Sequence, residues 1–368
     1  MTLTNYWWLL IWIFIGGVLA LFIPKQQELV NGRKVERWTM PTALILIAPY
    51  IVWAGFRSNA FGDTGSYQKA FRECASSLGE IGNYLSSVTK DKGFYLLMAL
   101  EKSIFGDSCR LFFVLLAAFQ LLIIVWMFRK YSEDYWFSIF LFIASTDYIS
   151  WTFNGIRQFT AVVIAYAATP FILKKKYIPS ILLILLASTM HQSVLLMIPI
   201  IFIIQGKAWN KKTVLCILAC LTALLFVDQF TNVMDSMLAE TQYRNVVSDY
   251  QSWNDDGTNP LRVLVYSIPM ILSLIGLKYV QAENDPMINT AVGASAIVCG
   301  LYVISMVTSG IFLGRLPIYI SLWSQCILLP WEIKHMFTEK SARLVKIIAI
   351  CCYGVFFYFQ MHFTWGIL

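Results

Sequence analysis

The sequence predicts an all-α, polytopic integral membrane protein, and three observations carry that reading. Hydrophobic residues fill 58% of the chain's 368 positions and charged ones only 13%, too few charges to cover a water-soluble surface. Several apolar runs approach or pass the ~18 residues that mark a membrane-crossing helix. The basic residues gather in short links beside those runs, so the net charge of +7 reads as a topology signal rather than a nucleic-acid surface. About 11–12 transmembrane or re-entrant helices are expected, in one membrane-embedded domain with two larger outer loops, 57–110 and 228–262.

Leu3 to Ile23 is expected to span. No Lys or Arg precedes Leu3, so it lacks the basic start of a cleaved leader. Lys25, Arg33, Lys34 and Arg37 place the next link in the cytoplasm and the N-terminus outside. Trp38 to Phe56 returns outward, with Pro49 as its expected kink. In the outer segment from Arg57 to Arg110, residues Tyr67, Ala70, Phe71, Cys74 and Leu78 recur at the spacing of an amphipathic surface helix. Gly93 to Phe105 is too short to span and is expected at the interface. Leu111 to Phe128, Tyr135 to Trp151 and Gly155 to Leu173 then run in, out and in, the last stopping at Lys174, Lys175 and Lys176.

Ile178 to Ile204 would run about 40 Å as one helix, against a hydrocarbon core of ~30 Å. Lysines flank both ends, so the segment is read as two short helices turning near Ser188 to Ser193. His191 lies in that turn, below the outer surface, where non-helical backbone must line a cavity or be buried in protein. Thr213 to Val227 goes out, and Asn254-Asp255-Asp256-Gly257 marks a turn in the second outer loop. Val263 to Val280 goes in and Met287 to Leu313 out. Leu316 to Trp331 goes in with Pro317 in its first turn, and Ile347 to Trp365 exits. The eight cysteines form no zinc or redox pattern and read as small apolar fillers. Cys74 and Cys109 share an outer segment, and a disulfide between them is expected to be permitted there.

This map puts Arg57, Asp63, Asn154, Arg157, Gln158, His191 and Arg315 at outer helix ends or in an outer cavity. Each has a structural reading. Asp63 suits a helix N-cap, Arg157 and Arg315 can snorkel to headgroups, His191 can be an interior hydrogen-bonding group, and Gln158 can cap the preceding loop. Together they point to chemistry, because ionisable residues in such places are functional by default. The guanidiniums of Arg57, Arg157 and Arg315 suit a phosphate or pyrophosphate, gripped at two points. A carboxylate or imidazole beside them can take a proton from an attacking hydroxyl. Arginines can stabilise a departing pyrophosphate without a metal. No paired-acid motif, H-E-x-x-H, P-loop or dinucleotide fingerprint is present, so no metal and no cofactor are expected.

Five pieces carry a resemblance: R57-S-N-A-F-G-D63-T64-G-S-Y67, G93-F-Y-L-L97, N154-G-I-R157-Q158-F-T-A161, A187-S-T-M-H191-Q-S193 and G314-R315-L-P-I-Y319. In this order the chain resembles the EpsG-type branch of the Wzy-like polysaccharide polymerases, which make O-antigen, capsule or exopolysaccharide. The family often has Glu-Pro before Gly-Phe, where this chain has Asp91-Lys92. Pro317 and the absence of Phe after Tyr319 are further departures. The resemblance implies glycosyl transfer, inverting or retaining, at the outer face of a bacterial inner membrane. The donor would be a growing glycan on undecaprenyl pyrophosphate, and the acceptor a single lipid-linked repeat unit. Membrane lipid and a chain-length-regulating co-polymerase would be partners. Arg157 and Arg315 would then meet the pyrophosphate, with Asp63 or His191 as base. Arg57, Thr64, Tyr67, Asn154, Gln158 and Tyr319 would contact substrate. The alternatives are a transferase using a polyprenyl-phosphate sugar, a lipid-linked oligosaccharide flippase, and a membrane acyltransferase.

Overall fold

The computed structural model describes residues 5–23, 25–30, 33–59, 61–238 and 257–367. The described residues are mostly helical, as predicted. They fall into two compact units, Met1–Leu195 with Leu344–Leu368, and Leu196–Arg343.

The first unit begins with α1 (Trp7–Ala20). The link that follows, expected only as a charged cytoplasmic connection, is an antiparallel pair of strands, β1 (Gln26–Val30) and β2 (Arg33–Arg37), in register from Gln26↔Arg37 to Val30↔Arg33. The sequence between the strands is Asn31-Gly32, a dipeptide strongly favoured in two-residue hairpins. Helix α2 (Met40–Gly55) starts on Thr39, whose side chain accepts the Thr42 N–H, and it packs along α6 (Cys109–Tyr131). A Cβ on Gly55 would meet Val114 at 2.1 Å, so glycine is what lets these two helices approach.

Between them lie α3 (Thr64–Glu73), α4 (Ile81–Ser87) and α5 (Lys92–Phe105). The surface helix expected over Tyr67 to Leu78 ends at Glu73, with Cys74 extended and Leu78 exposed in the turn that follows. Helix α4 was not expected, and α5 matches the short helix expected over Gly93 to Phe105. Their apolar faces share a core of Tyr67, Phe71, Phe94, Met98, Phe112 and Phe113. Lys102 is buried beneath α3, and its ammonium donates to the carbonyls of Phe71 (2.9 Å), Arg72 (2.8 Å) and Cys74 (3.3 Å). That satisfies the open end of the helix with a cation, the favoured sign there. Cys74 and Cys109 are both free, and the Cys74 thiol donates to the Phe71 carbonyl at 3.1 Å, so the permitted disulfide is not formed.

Helix α7 (Tyr135–Ala144) was expected to continue to Trp151. It ends at Ala144, and Thr146, two residues on, takes a left-handed φ of 65°, a conformation a helix cannot continue through. The chain then makes the single turn α8 (Asp147–Ile149) and a π-turn over Ser150–Asn154 before α9 (Ile156–Ala167). Short α10 (Thr169–Leu173) and α11 (Tyr177–Ser188) follow. The helix breaks at Thr189–His191 and resumes as a 3₁₀ turn at Gln192, placing the break where excess length predicted it.

The second unit holds α12 (Met197–Ile203), α13 (Lys211–Leu225), α14 (Val227–Leu238), α15 (Pro260–Ile275), α16 (Leu277–Glu283), α17 (Pro286–Met306) and α18 (Leu329–His335). Helix α19 (Glu339–Phe359) starts there and continues in the first unit. The α13–α14 and α15–α16 pairs bend by 103° and 77°. Gly293 of α17 lies against the backbone of Ile204, where a Cβ would come within 3.0 Å of its Cα.

Three expected spans of this unit differ. Val263–Val280 is interrupted at Gly276, where α15 gives way to α16. The run ending at Leu313 stops being helical at Met306. Leu316–Trp331 is not one α-helix: a 3₁₀ stretch over Leu313–Tyr319, with Pro317 inside it, gives way to a π-helix over Leu322–Leu328 and then α18. Among the described residues, three helices are long and apolar enough to cross a membrane, or five if each bent pair is one span, and six shorter apolar helices accompany them. Most of the second outer loop, including Asp255 and Asp256, lies outside the described residues.

Candidate functional site

The loop from Arg57 to Tyr67 is fastened to the π-turn. The Asn154 side-chain oxygen accepts the Asp63 N–H at 2.9 Å. Gly62, at φ +47°, lies so close that a Cβ would sit 2.3 Å from that oxygen. Both the left-handed backbone and the close approach therefore call for glycine. Asp63 occupies the N-cap position of α3, yet its side chain makes no capping bond and is exposed.

Arg57 is not at the surface. It is only 4% exposed, with its guanidinium 3.8 Å from the centre of the Phe113 ring and 5.3 Å from that of Phe153. It donates to the Thr64 hydroxyl (3.1 Å) and to the carbonyls of Ala54 (2.9 Å) and Thr152 (3.5 Å). Burial lowers its pKa to about 10, so it keeps its charge at neutral pH. Thr64 is buried with it. The expectation that Arg57 and Thr64 contact substrate meets a plain obstacle: both point inward and bind each other.

Arg157, two residues into α9, keeps 24% of its side chain exposed and forms a 2.8 Å ion pair with Asp91. The Tyr67 ring lies beside the same guanidinium, its centre 6.0 Å away, and the two groups interact electrostatically. Asp91 is the residue that sequence reasoning missed. It stands at the start of α5 with a left-handed φ of 54° and a side chain 2% exposed. Burial raises its pKa, against the pull of Arg157 and Lys90 and of the Gln192 N–H that it accepts. The signal was visible: the acid occupies the place where the resembled family often has Glu.

The His191 turn is bound to the same corner. The Gly93 N–H donates to the Thr189 carbonyl at 2.9 Å, and a Cβ on Gly93 would meet the Thr189 hydroxyl at 2.2 Å. Met190 packs on the aromatic core below, and Ser193 holds the His191 ring through Nδ1 at 2.7 Å. Tyr67, Asp91, Arg157 and the His191 turn thus form one linked corner of the first unit. Asn154 and half-buried Gln158 flank Arg157 in sequence.

Arg315 and Tyr319 belong to the second unit. Arg315 is exposed on the 3₁₀ turn, whereas Tyr319 is 1% exposed and buried in that unit's interior. Gly314 abuts Thr258, where a Cβ would come within 2.5 Å of the hydroxyl. Among the described residues, no three or more His, Cys, Asp or Glu side chains gather as a metal site.

No curated protein and no solved structure matches the chain. The family model for EpsG matches residues 42–365, a span that holds the Arg57 loop, the Asp91–Arg157 corner, the His191 turn and Arg315, and the chain belongs to the EpsG family.

Proposed function

We propose that this member of a polysaccharide-polymerase family extends a lipid-linked glycan at the outer face of the bacterial inner membrane, its apolar helices crossing the bilayer several times. The donor is a glycan on undecaprenyl pyrophosphate, and the acceptor is a lipid-linked repeat unit. A hydroxyl of the acceptor sugar attacks the donor's anomeric carbon. A new glycosidic C–O bond forms, the bond to pyrophosphate breaks, and the pyrophosphate leaves with the electron pair.

The observation that carries this reading is Arg157. It is a guanidinium fixed by Asp91 and Tyr67, with an edge left exposed. A preoriented cation is what a developing phosphate charge needs, since no reorganisation is required as the bond breaks. Asp63 is the preferred proton acceptor, because its carboxylate is exposed and not spent on the helix cap. His191, held by Ser193, is the second choice. Arg57 and Thr64 serve as the buried support of the loop that presents Asp63, and Arg315 offers an exposed guanidinium to a phosphate. No metal is invoked in this scheme.

Deletion of the gene, followed by surface glycan analysis on a ladder gel, tests the reading. A polymerase null keeps glycans one repeat long and loses the ladder. Loss of the single repeat as well would fit a flippase and reject the proposal.

A further inference from the structure

A second feature lies at the other end of the first unit. A cavity of about 440 Å³ opens between α1, the end of β2, and the turn that starts α7. Helix α6 separates it from the corner described above. Phe113, under Arg57, and Arg129, in the cavity wall, are sixteen residues apart on that helix, or roughly 24 Å.

The wall has two characters. One side is apolar: Phe14, Val18 and Leu21 line it, and Val18 and Leu21 are 57% and 79% exposed. The other side sets cations beside carboxylates. Lys346 pairs with Asp134 and sits 5.4 Å from the centres of the Trp136 and Phe137 rings. Arg129 donates to the Trp38 carbonyl and to Glu28, each at 2.6 Å. Lys25, 3.8 Å from Glu36, and Arg37, 3.3 Å from Glu28, also line this side, with Glu133 beside them. Such a wall does not favour a simple anion, because its cations already have acidic neighbours. It suits a head that carries both signs: a phosphate for the guanidinium and ammonium side, and an amine for the carboxylates and indole rings. The volume lies within the range of small-molecule sites and admits a headgroup but not its acyl chains. The uncovered apolar face of α1 begins at the cavity's edge, where such chains would lie.

We propose that this cavity binds the headgroup of a zwitterionic phospholipid with a primary amine, of the phosphatidylethanolamine class, its acyl chains lying along α1. The site is separate from the glycan chemistry, and its test does not depend on that chemistry. The purified full-length protein is examined by intact-complex mass spectrometry and thermal unfolding with added phosphatidylethanolamine, phosphatidylglycerol, phosphatidylcholine or soluble glycerophosphoethanolamine. Phosphatidylethanolamine should give a retained one-to-one adduct and a higher melting temperature, with the other lipids and the soluble head weaker. Val18→Trp, which fills the cavity from an exposed position, and Lys346→Gln should each weaken that adduct roughly fivefold or more, as expected for losing one charge-assisted contact or its space. Val18→Trp should melt as the parent does without lipid, and Lys346→Gln, which also loses its pair with Asp134, is judged by its lipid-induced shift against its own lipid-free melting. Equal or tighter retention of phosphatidylglycerol would overturn the proposal. So would binding of the soluble head as strongly as the lipid, or an unchanged adduct in a folded Val18→Trp protein.

Discussion

The Asp91–Arg157 corner of the first unit and the Leu313–Tyr319 turn of the second present the same functional group in opposite settings. Arg157 is clasped by a buried carboxylate and a phenol, and only its edge is exposed. Arg315 is exposed, while its neighbours from Phe312 to Gly314 and from Leu316 to Ile320 are buried. A clasped guanidinium is already oriented and loses little entropy on meeting an anion, whereas an exposed one must be ordered when the anion arrives. The difference teaches that the two arginines are not duplicates. One is a fixed point of the site, and the other is a cation on a rigid perch.

The sharpest test is a pair of lysine replacements. Arg157→Lys keeps the charge but loses the planar fork that can hold Asp91 and an anion at the same time. It should lower polymerisation about a hundredfold, or about 3 kcal/mol in the barrier. Arg315→Lys should cost about tenfold, because an exposed site needs less of the planar fork. Ladders of equal length from both variants, at matched protein levels, would erase the distinction.

Asp91→Asn comes next. Asparagine tolerates the left-handed backbone at this position, so the change isolates the charge. It should cost roughly tenfold in polymerisation and about 1–2 kcal/mol in stability, since the partner Arg157 keeps some access to water. Full activity with unchanged melting would make Asp91 irrelevant to Arg157.

Much of this was legible in the sequence, and the failures have physical causes. The apolar runs located the helices because burial and length leave few alternatives. The break at His191 was legible because a helix of that length overruns the bilayer. The Asp91–Arg157 pair was not, because it joins residues 66 apart in sequence and no local pattern records such a contact. The π-helix over Leu322–Leu328 was hidden because all seven of its residues are buried, Ser324 and Gln325 included, so no polar face marks a period that would tell one helix type from another. The strand pair of Gln26–Val30 with Arg33–Arg37 was missed differently. Its Asn-Gly signal was present, but the link was read for charge alone.

Glu101 gives a smaller test of the first unit's foundations. Its carboxylate is buried on α5 with neither oxygen hydrogen-bonded, and burial pushes its pKa from an ordinary 4.5 to about 7. The folded state therefore holds this proton where the unfolded chain has released it. By linkage its stability is fully present below pH 4.5 and is lost as pH rises through about 7. The parent should lose on the order of 2 kcal/mol between pH 5 and 7 that Glu101→Gln does not. Parallel pH profiles for the two proteins would count against this.

The smallest expected effect is at Gly62. Gly62→Ala should destabilise by about 1–2 kcal/mol, from the left-handed backbone and the crowding of Asn154. Melting should show this loss, and an unchanged melting temperature would mean that the loop bearing Asp63 is not fastened as described.

Arg57 has one more consequence. Its charge lies in a low-dielectric interior, stacked on rings and bonded to neutral groups, with no ion pair found for it among the described residues. A monopole without a local counter-charge is poorly screened, and its field lines must end elsewhere. The loop above it therefore sits in a standing positive potential that no surface side chain has to supply. On the proposed function, that potential would help to draw a pyrophosphate-linked donor toward the Asp63 loop, and salt in the medium would weaken the attraction, because the field beyond the protein surface is screened over about 10 Å at 0.1 M ionic strength.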